Sequence, residues 1–269
     1  MRAADMAASG ITVEKRGRIA IVRLDRGDGR NAMSRAVMRE LTEVARSFED
    51  DIETSAIVVT GTAEVFTLGY DLKDTETQKL SDMGLAERRR HLLAGPRMCK
   101  AWEDLAPFTI AAIEGWCVGG GVALAVSLDF RVCGGTSRFY VAEIERGMNM
   151  SWQSLPRIVN LVGPARAKQL AILAEKVPAQ SALDFGLVQE VVPAGNAFGR
   201  AMELAERVAS LPPVPVRMIK ADINAYANAL GAATSQMDLD QYALCQGAED
   251  YQEGVAAFLE RRPAKFTGR

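Results

Sequence analysis

The residue types best suited to chemistry fall in two glycine-bearing turns and one pair of glutamates. Glu114-Gly115-Trp116-Cys117-Val118-Gly119-Gly120-Gly121-Val122-Ala123 sets three consecutive glycines between an apolar stretch at 109–113 and another at 122–128. The first stretch reads as a strand and the second as a helix. A glycine junction of this kind lets a ligand approach bare backbone, where the first N–H groups of a helix lack internal partners. Those donors suit a phosphate, or an oxyanion that develops during a reaction. Close packing of helix on strand is the competing reason for three glycines. The segment Phe66-Thr67-Leu68-Gly69-Tyr70-Asp71-Leu72-Lys73 has the same apolar approach, glycine bend and acidic residue. Two turns that each offer one N–H make a two-donor oxyanion hole, and losing one such donor costs about 10²–10³ in rate. Nucleotide patterns fail: there is no G-x-G-x-x-G after a first strand, and Val122 stands where a Walker loop needs lysine.

The elements that must position these turns alternate. Residues 11–16, Gly17 and residues 19–24 read as a β-hairpin with alternating apolar positions. Ser34 caps a helix running to about Asp50, with Val37, Met38, Leu41, Val44, Ala45 and Phe48 at helical spacing. Residues 56–60 form a short apolar run ended by Gly61, the pattern of a strand buried on both faces. A polar segment, 74–106, is expected to hold helix and a mobile loop. Strands at 109–113 and 130–133 follow. After Gly147 the segments 151–174, 181–186, 197–210, 214–230 and 235–262 read as helices, interrupted by a strand at 188–192. The expected class is α/β: a frayed tail over 1–10, an α/β core over 11–195 and a C-terminal helical region over 196–269.

Composition excludes several classes. Of 269 residues 48% are hydrophobic, enough for a sizeable core, and 32 basic against 34 acidic residues leave a net charge of −2. That balance gives no push toward nucleic acid or an anionic membrane. The four cysteines (Cys99, Cys117, Cys133, Cys245) have no metal-like spacing and read as buried free thiols of a reducing compartment. One histidine, His91, supplies neither a zinc site nor a Ser-His-Asp triad, and after three arginines it reads as a surface residue. No metal is expected. No apolar run is long enough to span a bilayer, so a cytoplasmic location without membrane partners is expected.

Five segments in order resemble one family. Arg30-Asn31-Ala32-Met33 is similar to its R/K-x-N-A-[ML], Phe66 to Lys73 to its F-x-x-G-x-D-[LI]-K, and Gly115 to Gly121 to its N-G-x-x-x-G-G-G. Glu143 within 139–145 resembles its F-x-x-P-E, with Ala142 in place of proline. Glu253-Gly254, Phe258 to Arg262 and Phe266 resemble its E-G-x-x-A-F-L-E-K-R ending. The chain thus resembles the crotonase, or enoyl-CoA hydratase/isomerase, superfamily over roughly residues 11–267.

The resemblance implies a spiral of ββα units with a C-terminal helical trimerisation region, and a homotrimer or homohexamer. It implies an acyl-CoA substrate, with coenzyme A present as part of the thioester and no permanently bound cofactor. The thioester oxygen would be held by the backbone N–H groups of Tyr70 and Gly120. Arg30, Asn31, Ala32, Gly69, Asp71, Leu72 and Lys73 match positions that contact coenzyme A or substrate, Arg30 being a candidate for a phosphate. Trp116 and Trp152 are candidates to line the substrate site. Lys265 and Phe266 resemble residues that approach the coenzyme A of a neighbouring subunit. Glu143 matches a proton-transferring glutamate. Without that context it would read as a solvated or ion-paired carboxylate, as Asp71 reads as a helix cap and Asp129 as a structural partner.

Departures bear on the reaction. Family hydratases place two glutamates around one water, and the first falls here at Ala123, which cannot move a proton. A single carboxylate beside an enolate-stabilising hole suits Δ3-to-Δ2 enoyl-CoA isomerisation. Ser151 replaces the aspartate of dienoyl-CoA isomerases, which disfavours that subtype. The loop 148–155 is shorter and has lost the family's glycines. Trp116-Cys117 and the missing first glutamate also resemble hydroxycinnamoyl-CoA hydratase-lyases. Glu145 is a candidate second acid, because residues i and i+2 of a strand share a face. The alternatives are therefore a hydratase, a lyase of the hydroxycinnamoyl type, and a non-catalytic acyl-CoA-binding homologue.

Overall fold

Short continuous apolar runs become strands covered on both faces, and the remaining elements are arranged to cover them. A computed structural model describes residues 10–269, so the tail expected at 1–10 lies, Gly10 apart, outside the described residues. The hairpin forms as its alternation predicts: β1 (Ile11–Arg16) pairs antiparallel with β2 (Ile19–Leu24), Ile11 opposite Leu24. Parallel strands β3 (Ala56–Thr60), β5 (Phe108–Ile113), β7 (Phe130–Gly134) and β10 (Glu190–Val192) extend this sheet in the order β1-β2-β3-β5-β7-β10. A second sheet has the order β4 (Val65–Thr67), β6 (Trp116–Val118), β8 (Arg138–Tyr140), β9 (Val177–Pro178), parallel except for β9.

The chain therefore lays one strand in the first sheet, the next in the second, and then crosses back through helix. This happens three times: β3 and β4, β5 and β6, β7 and β8. The crossovers hold α2 (Thr75–Gln78), α3 (Leu85–Leu92) and α4 (Ala94–Glu103), then α5 (Gly120–Val126), then α6 (Ser154–Ala171), which kinks at Gly163. Ahead of them α1 (Arg35–Arg46) starts where Ser34 accepts the Val37 N–H, and buries Val37, Met38, Leu41, Val44 and Ala45. After α6 come α7 (Ala179–Phe185), α8 (Ala197–Ala209), α9 (Pro213–Ala227), α10 (Gly231–Ser235), α11 (Asp238–Gln246) and α12 (Glu249–Glu260). This is an α/β spiral of ββα units followed by helices.

Alternate residues of the central strands feed two cores. Ile57, Val59, Ala111, Ile113 and Cys133 join the main core with α1, α4 and α5. Ala56, Val58, Ile110, Ala112 and Val132 meet Ala197, Ala201 and Ala205, a stripe at every fourth residue of α8. Glu114 fixes that helix by accepting the Ala197 N–H at 2.9 Å, one of the donors a helix start leaves open. Asp129 is the structural partner its context suggests: it accepts the Thr109 N–H at 2.7 Å and pairs with Lys220 at 2.6 Å. Cys99, Cys117 and Cys133 are buried free thiols. No described helix is long and apolar enough to cross a membrane.

Candidate active site

The candidate residues gather at the carboxyl ends of three neighbouring parallel strands, β4, β6 and β8. The turn after β4 carries Gly69 and Tyr70, the turn after β6 carries Gly119 and Gly120, and the chain leaving β8 carries Glu143. Sequence separation is large, but hydrogen-bonded strands hold the three exits side by side. Gly69 (φ +79°) permits the close approach of the first two turns. A β-carbon there would lie 2.5 Å from the Val118 carbonyl oxygen and 2.8 Å from the Gly120 nitrogen. The second turn is tied to the third by the Gly119 N–H, which donates to the Tyr140 carbonyl at 2.8 Å.

Both proposed oxyanion donors are free of backbone duty. Tyr70 forms a parallel bridge with Met33. In it Met33 donates to the Gly69 carbonyl (2.7 Å) and Asp71 donates to the Met33 carbonyl (3.2 Å). The flanking peptide groups make the bridge, so the Tyr70 N–H faces the other way. Gly120 is the first residue of α5, and the first N–H groups of a helix have no acceptor within it. Gly119, at φ +51° and ψ −113°, sets the sharp entry into that helix.

Glu143 points into this junction. Its Oε1 lies 2.5 Å from where a β-carbon on Gly119 would sit, and its Oε2 is buried without a hydrogen-bond partner. Burial pushes its carboxyl up to about 7, against the opposing pull of local backbone N–H groups and the Arg146 charge. A carboxyl poised near neutrality can both take and return a proton.

These groups line one cavity of about 610 Å³. Of the residues singled out in the sequence, Tyr70, Gly120 and Glu143 are joined on its wall by Arg30, Ala32, Asp71, Leu72, Lys73, Trp116 and Trp152, while Ala123 and Ser151 also line it. Asp71 is not a helix cap: it pairs with Arg26 at 3.0 Å and accepts the Lys73 N–H, and Asp74 caps α2 instead. Arg30 stays half-exposed at the cavity rim.

Three further expectations change. Asn31 is buried and turned inward. Its side chain donates to the Leu24 carbonyl and accepts the Arg26 N–H, each at 2.9 Å, so it secures the 24–31 loop and does not face the cavity. Glu145 fails as a second acid because residues 144–146 form a 3-10 turn, which removes the strand periodicity on which that reading rests. Its carboxylate accepts the Tyr140 hydroxyl instead. His91 is not a surface residue. It is 2% exposed and lines the cavity. Arg88, His91, Leu92 and Gly95 share one face of successive turns, and the polar sequence neighbours occupy the other. Lys265 and Phe266, expected at the coenzyme A of a neighbouring subunit, lie outside this chain's own cavity, as that expectation allows; the Lys265 N–H donates to Glu253 at 2.8 Å.

Other wall residues were not named as site residues: Met148 and Met150 fall in the loop 148–155, Phe258, Leu259 and Arg261 in the C-terminal motif, and Leu239 and Tyr242 in no segment that stands out in the sequence. Membership of a motif or loop does not by itself say which side chains turn toward the cavity.

Trp152 shapes the interior. Its indole is wedged between two glycines: a β-carbon on Gly120 would lie 2.5 Å from its Cζ3, and one on Gly95 would overlap the ring at Cε2. The ring also packs edge-on against Tyr70, with centroids 6.3 Å apart at 89°. Trp152 and Gln153 are both left-handed, at φ +62° and +56°. Arg157 holds this costly pair by donating to both carbonyls, at 3.1 and 3.0 Å, while Glu103 grips Arg157 at 2.7 and 2.9 Å. Asp238 accepts the Gln153 N–H at 2.6 Å. Among the described residues, no three His, Cys, Asp or Glu side chains are grouped to hold a metal ion.

The chain is similar to known proteins along nearly its whole length. A family model described as enoyl-CoA hydratase/isomerase matches residues 14–269. The short-chain-enoyl-CoA hydratase of Clostridium acetobutylicum is 30% identical over 258 residues, covering 96% of this chain and 97% of that protein. The 2,3-dehydroadipyl-CoA hydratase of Escherichia coli is 28% identical, with 97% and 100% covered. Among solved structures, an enoyl-CoA hydratase from Mycobacterium avium subsp. paratuberculosis shares the fold at a TM-score of 0.86 and 24% identity (97% and 99% covered). A carnitinyl-CoA hydratase from Mycobacterium avium superposes at 0.83 with 29% identity (97% and 99% covered).

Proposed function

The chain belongs to the enoyl-CoA hydratase/isomerase family, and from that premise we propose that it isomerises a 3-enoyl-CoA to the 2-enoyl-CoA, with Glu143 as the proton carrier. The thioester oxygen sits between the N–H groups of Tyr70 and Gly120. Glu143 as carboxylate removes a proton from Cα, and the electron pair moves onto the thioester oxygen as a dienolate. The two N–H donors stabilise that charge where it develops. Glu143, now protonated, returns the proton to Cγ, and the double bond settles between Cα and Cβ. Atoms and charge balance with no co-reactant.

The observation that supports isomerisation over hydration is the solitary state of Glu143. Its Oε2 has no partner, Ala123 occupies the hydratase position, and Glu145 is bonded to Tyr140. Asp71, the other carboxylate on the described wall, is paired with Arg26. The relatives named as hydratases favour a second reading, hydration of a 2-enoyl-CoA, with an acid supplied otherwise. Supplying the purified protein with a 3-enoyl-CoA and with crotonyl-CoA, and following both products, tests the two. Isomer without hydrate, abolished in Glu143→Gln, supports isomerisation; hydrate as the main product overturns it.

Coenzyme A would enter past Arg30 and Lys73, whose charges suit its phosphates. A homotrimer or hexamer would cover the apolar side chains that α9 leaves exposed, Met218, Ile219, Ile223 and Tyr226.

A further inference from the structure

We infer that His91 reads an oxygen on the distal part of the acyl group, so that the preferred thioester carries a carbonyl or hydroxyl acceptor beyond its reacting carbons. The inference rests on the acyl-CoA reading of the cavity and adds the class of acyl group.

Among the described residues, two of the side chains lining the cavity have a fully buried polar atom without a partner: Glu143 Oε2 and His91 Nε2. The first belongs to the chemistry. The second has no role in it. Arg35 approaches the His91 Nδ1 at 2.9 Å, and a guanidinium can only donate, so Nδ1 accepts and the ring proton sits on Nε2. Burial and the Arg35 charge both lower the pKa of this ring, which is neutral at pH 7. Nε2–H is then a buried donor facing no acceptor, a state native proteins rarely leave uncompensated. The Nε atoms of Arg35 and Arg88 close by are also buried without a partner, but neither residue lines the cavity, and the polar groups of its wall near His91 are committed. The Tyr70 hydroxyl lies 2.8 Å from the Thr77 hydroxyl, and the Tyr242 hydroxyl is hydrogen-bonded to Gln246.

The surroundings explain why a substrate would supply the acceptor. Leu92, Met148, Leu239 and Tyr242 cluster as an apolar wall and also line the cavity. An acyl chain anchored at Tyr70 and Gly120 and running along this wall would lie beside His91. A plain alkyl end there leaves Nε2–H desolvated and unpaired, whereas an oxygen satisfies it. Sites that hold a buried donor for a substrate oxygen discriminate strongly against the analogue that lacks it.

The test is calorimetric binding of saturated, unreactive acyl-CoA esters of roughly four to eight carbons, each with and without a keto group next to the terminal methyl. Wild type should prefer one keto ester over its plain counterpart by about 10–100-fold. His91→Leu should erase the preference while still binding the plain ester, and His91→Gln, which keeps a donor, should restore part of it. Thermal melts of both variants confirm folding. Equal binding of keto and plain esters by wild type at every length, or a preference that survives in His91→Leu, overturns the inference and leaves the acyl-CoA reading intact. Failure of wild type to bind any of these esters overturns both.

Discussion

Gly119 leaves open the space that Glu143 occupies. A β-carbon on that glycine would stand 2.5 Å from Oε1 and 3.3 Å from the carboxyl carbon, and the backbone there is left-handed. The absence of a side chain at 119 is thus what lets an acid from the β8 exit come up against the turn that leaves β6. Gly119→Ala should keep the fold at a cost of about 1–3 kcal/mol from the strained backbone. It should also lower kcat by about 10²-fold or more by displacing the carboxylate. Steady-state kinetics beside a thermal melt separates the two effects; a stable variant with unchanged kcat would show that the contact has no part in turnover.

Glu143 should govern the pH dependence of both turnover and stability. As a base it must be ionised, so kcat/KM should fall on the acid side with a limb near pH 7, where burial places its carboxyl. The stability effect has the opposite sense. A carboxyl whose folded pKa stands above its unfolded value of about 4.5 favours the fold while protonated. That contribution is complete below about pH 4.5 and is lost as pH rises through about 7. Glu143→Gln should remove the acid limb with the activity, and should melt at a temperature that changes less between pH 5 and pH 8 than wild type. The difference is on the order of 1–2 kcal/mol, discounted for the partial exposure of the residue. A wild-type melt no more pH-dependent than that of the variant would contradict the raised pKa.

Much of this arrangement was legible in the chain. The apolar run at 56–60 and the glycine junction at 119–121 each carry a local requirement, two-faced burial for one and a helix start against bare backbone for the other. Glu145 and His91 mark the limit of local reading. The first was placed by assuming that a strand continued past Tyr140, and a 3-10 turn intervenes. The second was placed by its charged neighbours, although one helical turn suffices to bury His91 and Leu92 beneath Arg89 and Arg90. The inward faces of Leu239, Tyr242, Phe258 and Leu259 depend on how α11 and α12 dock, and no spacing within those helices states it.

Ala123 offers a constructive test of the reaction. It is fully buried in the helix that begins at Gly120, and it lines the cavity together with Glu143. Ala123→Glu places a second carboxyl at the hydratase position, where two acids around one water could share base and acid roles. Like charges in one site push one pKa up, so the pair should titrate with one group raised further. Hydration of crotonyl-CoA should rise at least about tenfold over wild type while isomerisation falls, provided the helix accepts the larger side chain; overpacking costs about 1–3 kcal/mol. Product analysis by chromatography decides. An Ala123→Glu protein that melts normally yet forms no more hydrate would show that the missing glutamate is not what limits hydration.

The ion pair that holds the tryptophan loop should be far more important to the fold than its surface counterparts. Arg157 and Glu103 side chains are 7% and 12% exposed, and the guanidinium is shared among the Glu103 carboxylate and the carbonyls of left-handed Trp152 and Gln153. Removing one partner strands the other in a low-dielectric setting, which typically costs 3–5 kcal/mol. Arg157→Met leaves Glu103 with Lys100, 3.6 Å away, and Asn228, and frees both strained carbonyls. We expect that variant to lose about 3–5 kcal/mol in urea unfolding and to show altered Trp152 fluorescence as the indole leaves the Gly95–Gly120 slot. Adding Glu103→Gln should recover part of the stability, because the uncompensated charge is gone, but not the fluorescence, because the carbonyls still lack their donor. Recovery of both signals by the double variant would mean that the charge balance alone, and not the bridge from Arg157 to the two carbonyls, sets the position of Trp152.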